Sequence, residues 1–316
     1  MTLVSLRERV APPVRFRGSR TGERSAPRRE RAPLPVDLAI AQAVLGLIAL
    51  LLVAFVFEVA VVGAVRHARA QALAYDQFRT ALANGTVPVG QLDSNGKVVA
   101  PGTPIARLQI KALGIDDVVF QGTTSEALAD GPGHRRDTPY PGQSGTSVIY
   151  GRQSGYGGDF GDLGSLKPGD AITVTTGQGG RPQNFVVTDL RGAGTRVPSM
   201  IQGTAMLTLV TAQGLPFFPQ RLLYVDAHLV GTPAPTPAIP LGASSLPSAE
   251  NAMSGDSSGS IKLMLWSELL LLAAVCLVWV RSRWGRWQTW IVAVPVLGLA
   301  SMEAAHYLAM NLPNLL

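Results

Sequence analysis

Three stretches of the chain are apolar without alternation, and the region between the first and second alternates. The first apolar run, from Val36 to Val65, contains only Asp37 and Glu58 among ionisable residues. About twenty such residues cross a bilayer as a helix, so the run predicts a transmembrane helix over 36–65. It is too long for a signal peptide and follows a 35-residue tail, so it reads as a retained anchor. Two more spans are predicted near the far end, over 261–281 and 290–311. Trp266, Trp279, Trp284, Trp287 and Trp290 cluster near their ends, where amphipathic aromatics sit at a membrane interface.

The alternating region reads mostly as strand. Segments 105–110, 116–120, 147–150, 171–176, 184–190, 205–211 and 221–229 are short, β-branched and bounded by turns. Residues 68–80 read as a helix continuing the first span outward. Residues 124–131 read as a short helix capped by Thr124 or Ser125 and stopped by Gly131. Many short strands with little helix predict a small closed barrel. The organisation expected is a disordered basic cytoplasmic tail over 1–35, span one over 36–65, and an extracytoplasmic stalk and lead-in over 66–101. A barrel over 102–230 and a Pro/Ser/Gly-rich linker over 231–260 come next. Span two over 261–281, a cytoplasmic loop over 282–289 and span three over 290–311 complete it.

Charge orients this arrangement. Nine arginines lie before Val36, and Arg281, Arg283 and Arg286 lie between the last two spans. With both basic segments inside, the N-terminus is expected in the cytoplasm and the barrel outside a multi-pass cell-membrane protein. The net charge of +6 therefore implies no nucleic-acid partner, because much of the excess sits in the tail. Composition agrees with the spans: 47% of residues are hydrophobic and 15% charged. The single cysteine, Cys276, falls in span two, so no disulfide framework is expected outside. No metal-ligand cluster or cofactor motif stands out along the chain. Within the spans, Glu268, Glu303 and His306 are candidate membrane-interaction residues, since ionisable groups there face protein rather than lipid. Gly298, Ala300, Ala304 and Ala305 would permit close helix contact with a membrane protein partner.

The exported domain resembles the sortases, membrane-anchored cysteine transpeptidases, over about residues 102–230, and most closely the actinobacterial housekeeping (class E) type. The likeness rests on ordered motifs. A strand runs into Tyr150-Gly151-Arg152-Gln153, followed by Phe160, Leu163, Leu166, Gly169-Asp170, Ile172 and Val174 at the family's spacing. "TLVTAQG", 208–214, matches the Thr-Leu-x-Thr-Cys segment, and "RLLYVDAHLV" matches the arginine-bearing strand after it. The resemblance implies a sortase-like β-barrel. It also implies that Ala212 stands at the cysteine position, Arg152 at the catalytic histidine and Gln153 at the arginine after it, with only Arg221 matching. A cysteine nucleophile, a histidine proton carrier and an arginine that stabilises charge each need their own residue type. Alanine forms no thioester, and a guanidinium is no base at neutral pH.

The expectation is a catalytically inactive protein that binds or scaffolds at the cell envelope. Arg152, Gln153, Thr211 and Arg221 are its candidate ligand-binding residues, for an envelope protein or a sorting-signal-like peptide. The two arginines together would form an anion pocket. One alternative is a peptidase or transpeptidase with a hydroxyl nucleophile, Thr208 or Thr211, which needs a histidine or carboxylate in reach. His134, His228, Asp159 and Asp226 are read as structural or solvated instead. The other alternative is an accessory subunit of a membrane complex, with the barrel as a cap.

Overall fold

The computed structural model describes residues 35–179, 181–195 and 203–316. The basic tail, apart from Pro35, lies outside the described residues. The chain divides into two compact units, Met1–Val44 and Leu45–Leu316. The first contributes the apolar start of α1; the barrel, the remaining helices and the candidate site belong to the second.

Helix α1 (Val36–Phe57) passes through a π-helical turn, Glu58–Val62, into α2 (Gly63–Ala83). Among the described residues, three helices are long and apolar enough to cross a membrane: Ile40–Ala83, Ser257–Arg281 and Trp287–Asn311. At 1.5 Å per residue the first is about twice as long as a bilayer requires. Its second half is α2, which becomes polar from Arg66 and packs on the barrel. There Ala74 and Phe78 are buried against Val118 and Phe120. Gln71 accepts from the Val118 amide at 2.7 Å and donates to the carbonyls of Val118 (3.1 Å) and Asp130 (2.9 Å). The stalk is thus clamped to a strand edge by one side chain as well as by apolar contact.

Eight strands close the barrel: β1 (Pro104–Ile110), β2 (Ile115–Gln121), β3 (Gly133–His134), β4 (Gly145–Tyr150), β5 (Ala171–Thr176), β6 (Pro182–Gly192), β7 (Ala205–Leu215) and β8 (Phe218–Leu229). The order around it is β1-β2-β3-β4-β7-β8-β6-β5, and β5 pairs back to β1. Seven of the strands coincide with the alternating segments; β3, two residues long, has no sequence signature. Helix α3 (Ser125–Asp130) connects β2 to β3, with the Thr124 hydroxyl accepting from the Ala127 amide at 3.3 Å. Alternation explains the core. Leu207 and Leu209 of β7 and Leu223, Val225 and Ala227 of β8 point inward among Ile105, Leu108, Phe160 and Phe185. Val210 and Ala212 point outward into a second cluster.

Residues 231–260 connect the barrel to α4 (Ser260–Trp284) and lie against the barrel on the way. The Ala234 carbonyl accepts from the Ser144 amide at 2.9 Å, and Glu250 is buried in an ion pair with Arg136. After α4 a single residue, Gly285 with φ 93°, turns the chain into α5 (Arg286–Asn311). The expected loop over 282–289 is therefore almost entirely helical. Ala300, Ala304 and Ala305 are buried, while Gly298 has open space beside it.

Candidate functional site

The outer face of the parallel β4–β7 pair forms the floor of a groove. Register sets Tyr150 beside Val210 and Val148 beside Thr208, with Leu222, Tyr224 and Asp226 of β8 continuing the floor. Ala212 lies at one end of this floor. It is buried in one apolar cluster with Leu315, Leu128, Tyr150 and Val210. Residues 312–316, which follow α5, thus fill the groove at Ala212.

The fit of this segment is polar as well as apolar. The Gln153 amide donates to the Leu315 carbonyl at 2.9 Å, and the Asn314 amide donates to Ser254 at 2.8 Å. The Asn314 side chain, fully buried, donates to the carbonyls of Thr123 (2.9 Å) and Asn251 (3.0 Å). Ala252 and Met253 pack against the same cluster. A Leu side chain over an alanine and a bonded amide beneath it are the marks of a built contact rather than a loose end.

Arg152 turns inward. Its Nε donates to the Leu128 carbonyl at 3.1 Å, Nη2 to Ser125 at 2.9 Å and Nη1 to Leu316 O at 3.4 Å. The guanidinium lies 4.8 Å from the centre of the Tyr156 ring. Burial pushes it down to about 10, still protonated at neutral pH. With three nitrogens directed at carbonyls and 3% of its surface exposed, Arg152 staples α3 to the groove rather than presenting charge. Gln153 bridges in a second direction, its Nε2 donating to the Gly214 carbonyl at 2.8 Å. Arg221 is exposed on β8, opposite Gln213. The two arginines therefore do not form the paired anion pocket expected, since one is enclosed and the other open to solvent.

Thr211 does not belong to the groove. It shares the inward face with Leu209, is 1% exposed, and its hydroxyl has no partner. Thr208 does face the groove. Its hydroxyl donates to Asp226 at 2.6 Å, so a carboxylate is in reach of one candidate hydroxyl. Asp226, however, is fully buried and paired with Arg191 at 2.6 Å, and Thr208 is only 4% exposed. Thr208, Asp226 and Arg191 thus form a bonded structural triad at the groove. His134 is buried in β3, its Nδ1 3.0 Å from Gln121 Oε1 and its Nε2 2.9 Å from the Pro139 carbonyl, and burial holds it down to about 4. His228 is exposed on β8.

The membrane candidates separate. His306 Nδ1 lies 3.2 Å from Glu58 Oε1 and 2.9 Å from Arg66 Nη1, while Glu58 and Arg66 are 3.3 Å apart. Glu303 is half-buried on the same helix, and Glu268 is exposed on α4. Glu58, buried in the π-turn, was the signal passed over: one carboxylate in a long apolar run. Beside this triad, Tyr156 of the β4–β5 loop packs with Val59, Ala309 and Met310. Gly63 makes the approach possible, because a Cβ there would meet the Tyr156 ring at 2.8 Å.

One group of metal-ligating type occurs among the described residues, contrary to the expectation of none in the sequence. His67 of α2, Asp117 of β2 and Asp159 of the β4–β5 loop bring ligand atoms within 4.8 Å of one another. Burial, and then the charge of Asp159, push the Asp117 carboxyl up to about 6.

Residues 108–230 match the family described as the sortase domain. Comparison with curated proteins finds no match. Among solved structures, the chain is similar to a Clostridium perfringens Sortase D5 transpeptidase at 20% identity and TM-score 0.43, covering 52% of this chain and 99% of that one. Sortase E1 from Streptomyces coelicolor is similar at 21% identity and TM-score 0.35, covering 42% and 92%. A lid mutant of Sortase A from Corynebacterium diphtheriae is similar at 19% identity and TM-score 0.38, covering 51% and 95%. The only cysteine of the chain lies in α4, outside the barrel. The chain is a multi-pass membrane protein with a sortase-like barrel that carries no cysteine, and residues 108–230 of it match the sortase domain.

Proposed function

We propose that this protein is a non-catalytic member of the sortase kinship that works as a scaffold at the cell envelope, with its barrel outside and its N-terminus in the cytoplasm. The observation that carries the reading is that Leu315 and Ala212 are buried in one apolar cluster. In the family's mechanism that place holds a nucleophile and needs an open approach for a carbonyl. Here it holds a methyl group under another segment of the same chain. Ala212 and Arg152 replace the thiol and the imidazole, on the reading that matches this chain to the actinobacterial housekeeping type. A groove filled at this end argues against peptide capture there; a partner engages the exposed rim, where Arg221 lies, or the membrane helices.

A second reading, an accessory subunit whose essential surface is the helix bundle, is favoured by one observation. Tyr156 packs on Val59, Ala309 and Met310 beside the Glu58–Arg66–His306 triad that joins the helices, so a partner on the helices would feel the barrel. The test is site-directed photo-crosslinking of the full-length protein in its own membrane, from position 221 and from position 268. A discrete envelope adduct at 221 supports the scaffold reading, and one at 268 alone supports the subunit reading. Crosslinks at neither position, together with cleavage of sorting-signal peptides by the purified protein, would overturn both.

A further inference from the structure

The stalk, a barrel strand and the loop beside the groove meet at His67, Asp117 and Asp159. The meeting is close by construction. Gly157, at φ +94°, lets the loop backbone pass the imidazole; a Cβ there would lie 2.7 Å from His67 Cδ2. Asp159 follows two residues later. Its side chain is 4% exposed, with Oδ1 3.0 Å from His67 Nε2. Its other oxygen, Oδ2, is buried with no hydrogen-bond donor. A desolvated carboxylate oxygen without a donor is costly. An ion pair with His67 accounts for Oδ1 only.

A cation satisfies what the protein leaves open. Ligands about 2.1 Å from one ion sit about 3.0 Å apart in an octahedral shell and about 3.4 Å apart in a tetrahedral one, and the 3.0 Å between Nε2 and Oδ1 lies at the octahedral value. Asp117 and Asp159 border a cavity of about 300 Å³ lined also by Asp116 and Asp162, which leaves room for water to complete a coordination shell. One imidazole and two carboxylates form a nitrogen–oxygen donor set of borderline softness. That set suits a first-row transition ion; calcium takes six to eight oxygens instead. We propose that His67, Asp117 and Asp159 bind one divalent transition cation, zinc or manganese, which clips the stalk helix and β2 to the loop that carries Arg152, Gln153 and Tyr156. The role is structural, since nothing reactive faces the trio. The inference does not depend on whether the barrel is catalytic.

The test uses the untagged full-length protein in detergent, stripped with chelator and then given zinc, manganese, calcium or magnesium chloride. Metal content is read by mass spectrometry after desalting, alongside the melting temperature. The expected result is one equivalent of zinc or manganese per chain and a higher melting temperature with it. Asp159→Asn and His67→Gln are expected to weaken binding by about 100-fold or more, beyond the loss typical of supporting residues. Glu126→Gln, away from the trio, is expected to retain the metal. Should Asp159→Asn fail to fold, the more exposed Asp117→Asn carries the same expectation, scored on monodisperse protein. Retention of none of the four metals, of calcium or magnesium only, or equally by wild type and the trio variants would overturn the proposal.

Discussion

Replacing Leu315 by alanine removes the side chain that seals the groove while leaving every backbone bond of residues 312–316 able to form. Leu315 is fully buried against Leu128, Tyr150, Val210 and Ala212. Burying a leucine contributes about 1.5–3 kcal/mol, and truncating one in a packed site costs about 2–5 kcal/mol. The groove opens on one side when the segment leaves, so the lower part of that range applies, about 2–3 kcal/mol. At 1.4 kcal/mol per tenfold, the seated state loses about 30- to 150-fold in its local equilibrium. The Gln153 amide reports it directly, because its acceptor is the Leu315 carbonyl. Hydrogen exchange of the full-length protein, followed in peptides covering 150–156 and 208–215, is expected to speed up for the Gln153 amide by that factor. Amides of the barrel core, such as Leu108, are expected to stay unchanged, since local opening does not unfold the barrel. An exchange rate for Gln153 the same in Leu315→Ala as in wild type would refute the idea that the segment closes the groove.

Other expectations follow from the same contacts. Arg191→Ala leaves Asp226 buried and unpaired and is expected to cost about 3–5 kcal/mol in chemical denaturation, far more than Thr208→Val, which keeps the ion pair. Gly151→Ala places a Cβ 2.5 Å from the Phe160 ring, and overpacking of about 1–3 kcal/mol is expected as a lower melting temperature. His134 sets an acid limit. Its folded value of about 4 lies below the unfolded value of about 6.5, so the unfolded chain takes up the proton first. The corresponding stability, about 3 kcal/mol, is fully present above about 6.5 and is lost as pH falls towards 4. His134→Gln is expected to flatten melting temperature against pH within that window, and an unchanged slope would assign the acid sensitivity elsewhere.

The sequence disclosed the barrel because its strands alternate, and alternation is a local property. It missed β3, because two residues, Gly133 and His134, show no period. The same alternation places Thr211 away from the groove: adjacent residues of a strand face opposite ways, so Thr211 and Ala212 cannot share it. The groove's closure was invisible for a different reason. Leu315 meets Ala212 across a hundred residues of chain, and nothing local marks a leucine as a plug. Arg152 shows the limit of residue type as a guide. A guanidinium where the resemblance places a histidine suggests an anion pocket, but backbone carbonyls of α3 hold it instead. The trio at His67 was unreadable likewise, because its members come from a helix, a strand and a loop more than forty residues apart.

The central claim is that this barrel has no acyl-transfer chemistry. It is tested most directly by intact-mass spectrometry of the full-length protein incubated with sorting-signal peptides and an amine acceptor, with Leu315→Ala examined in parallel so that the groove is open in one sample. The account predicts unchanged protein mass and no cleaved or transferred peptide in either sample. A covalent acyl adduct on the barrel, or product formed faster than in protein-free buffer, would contradict it.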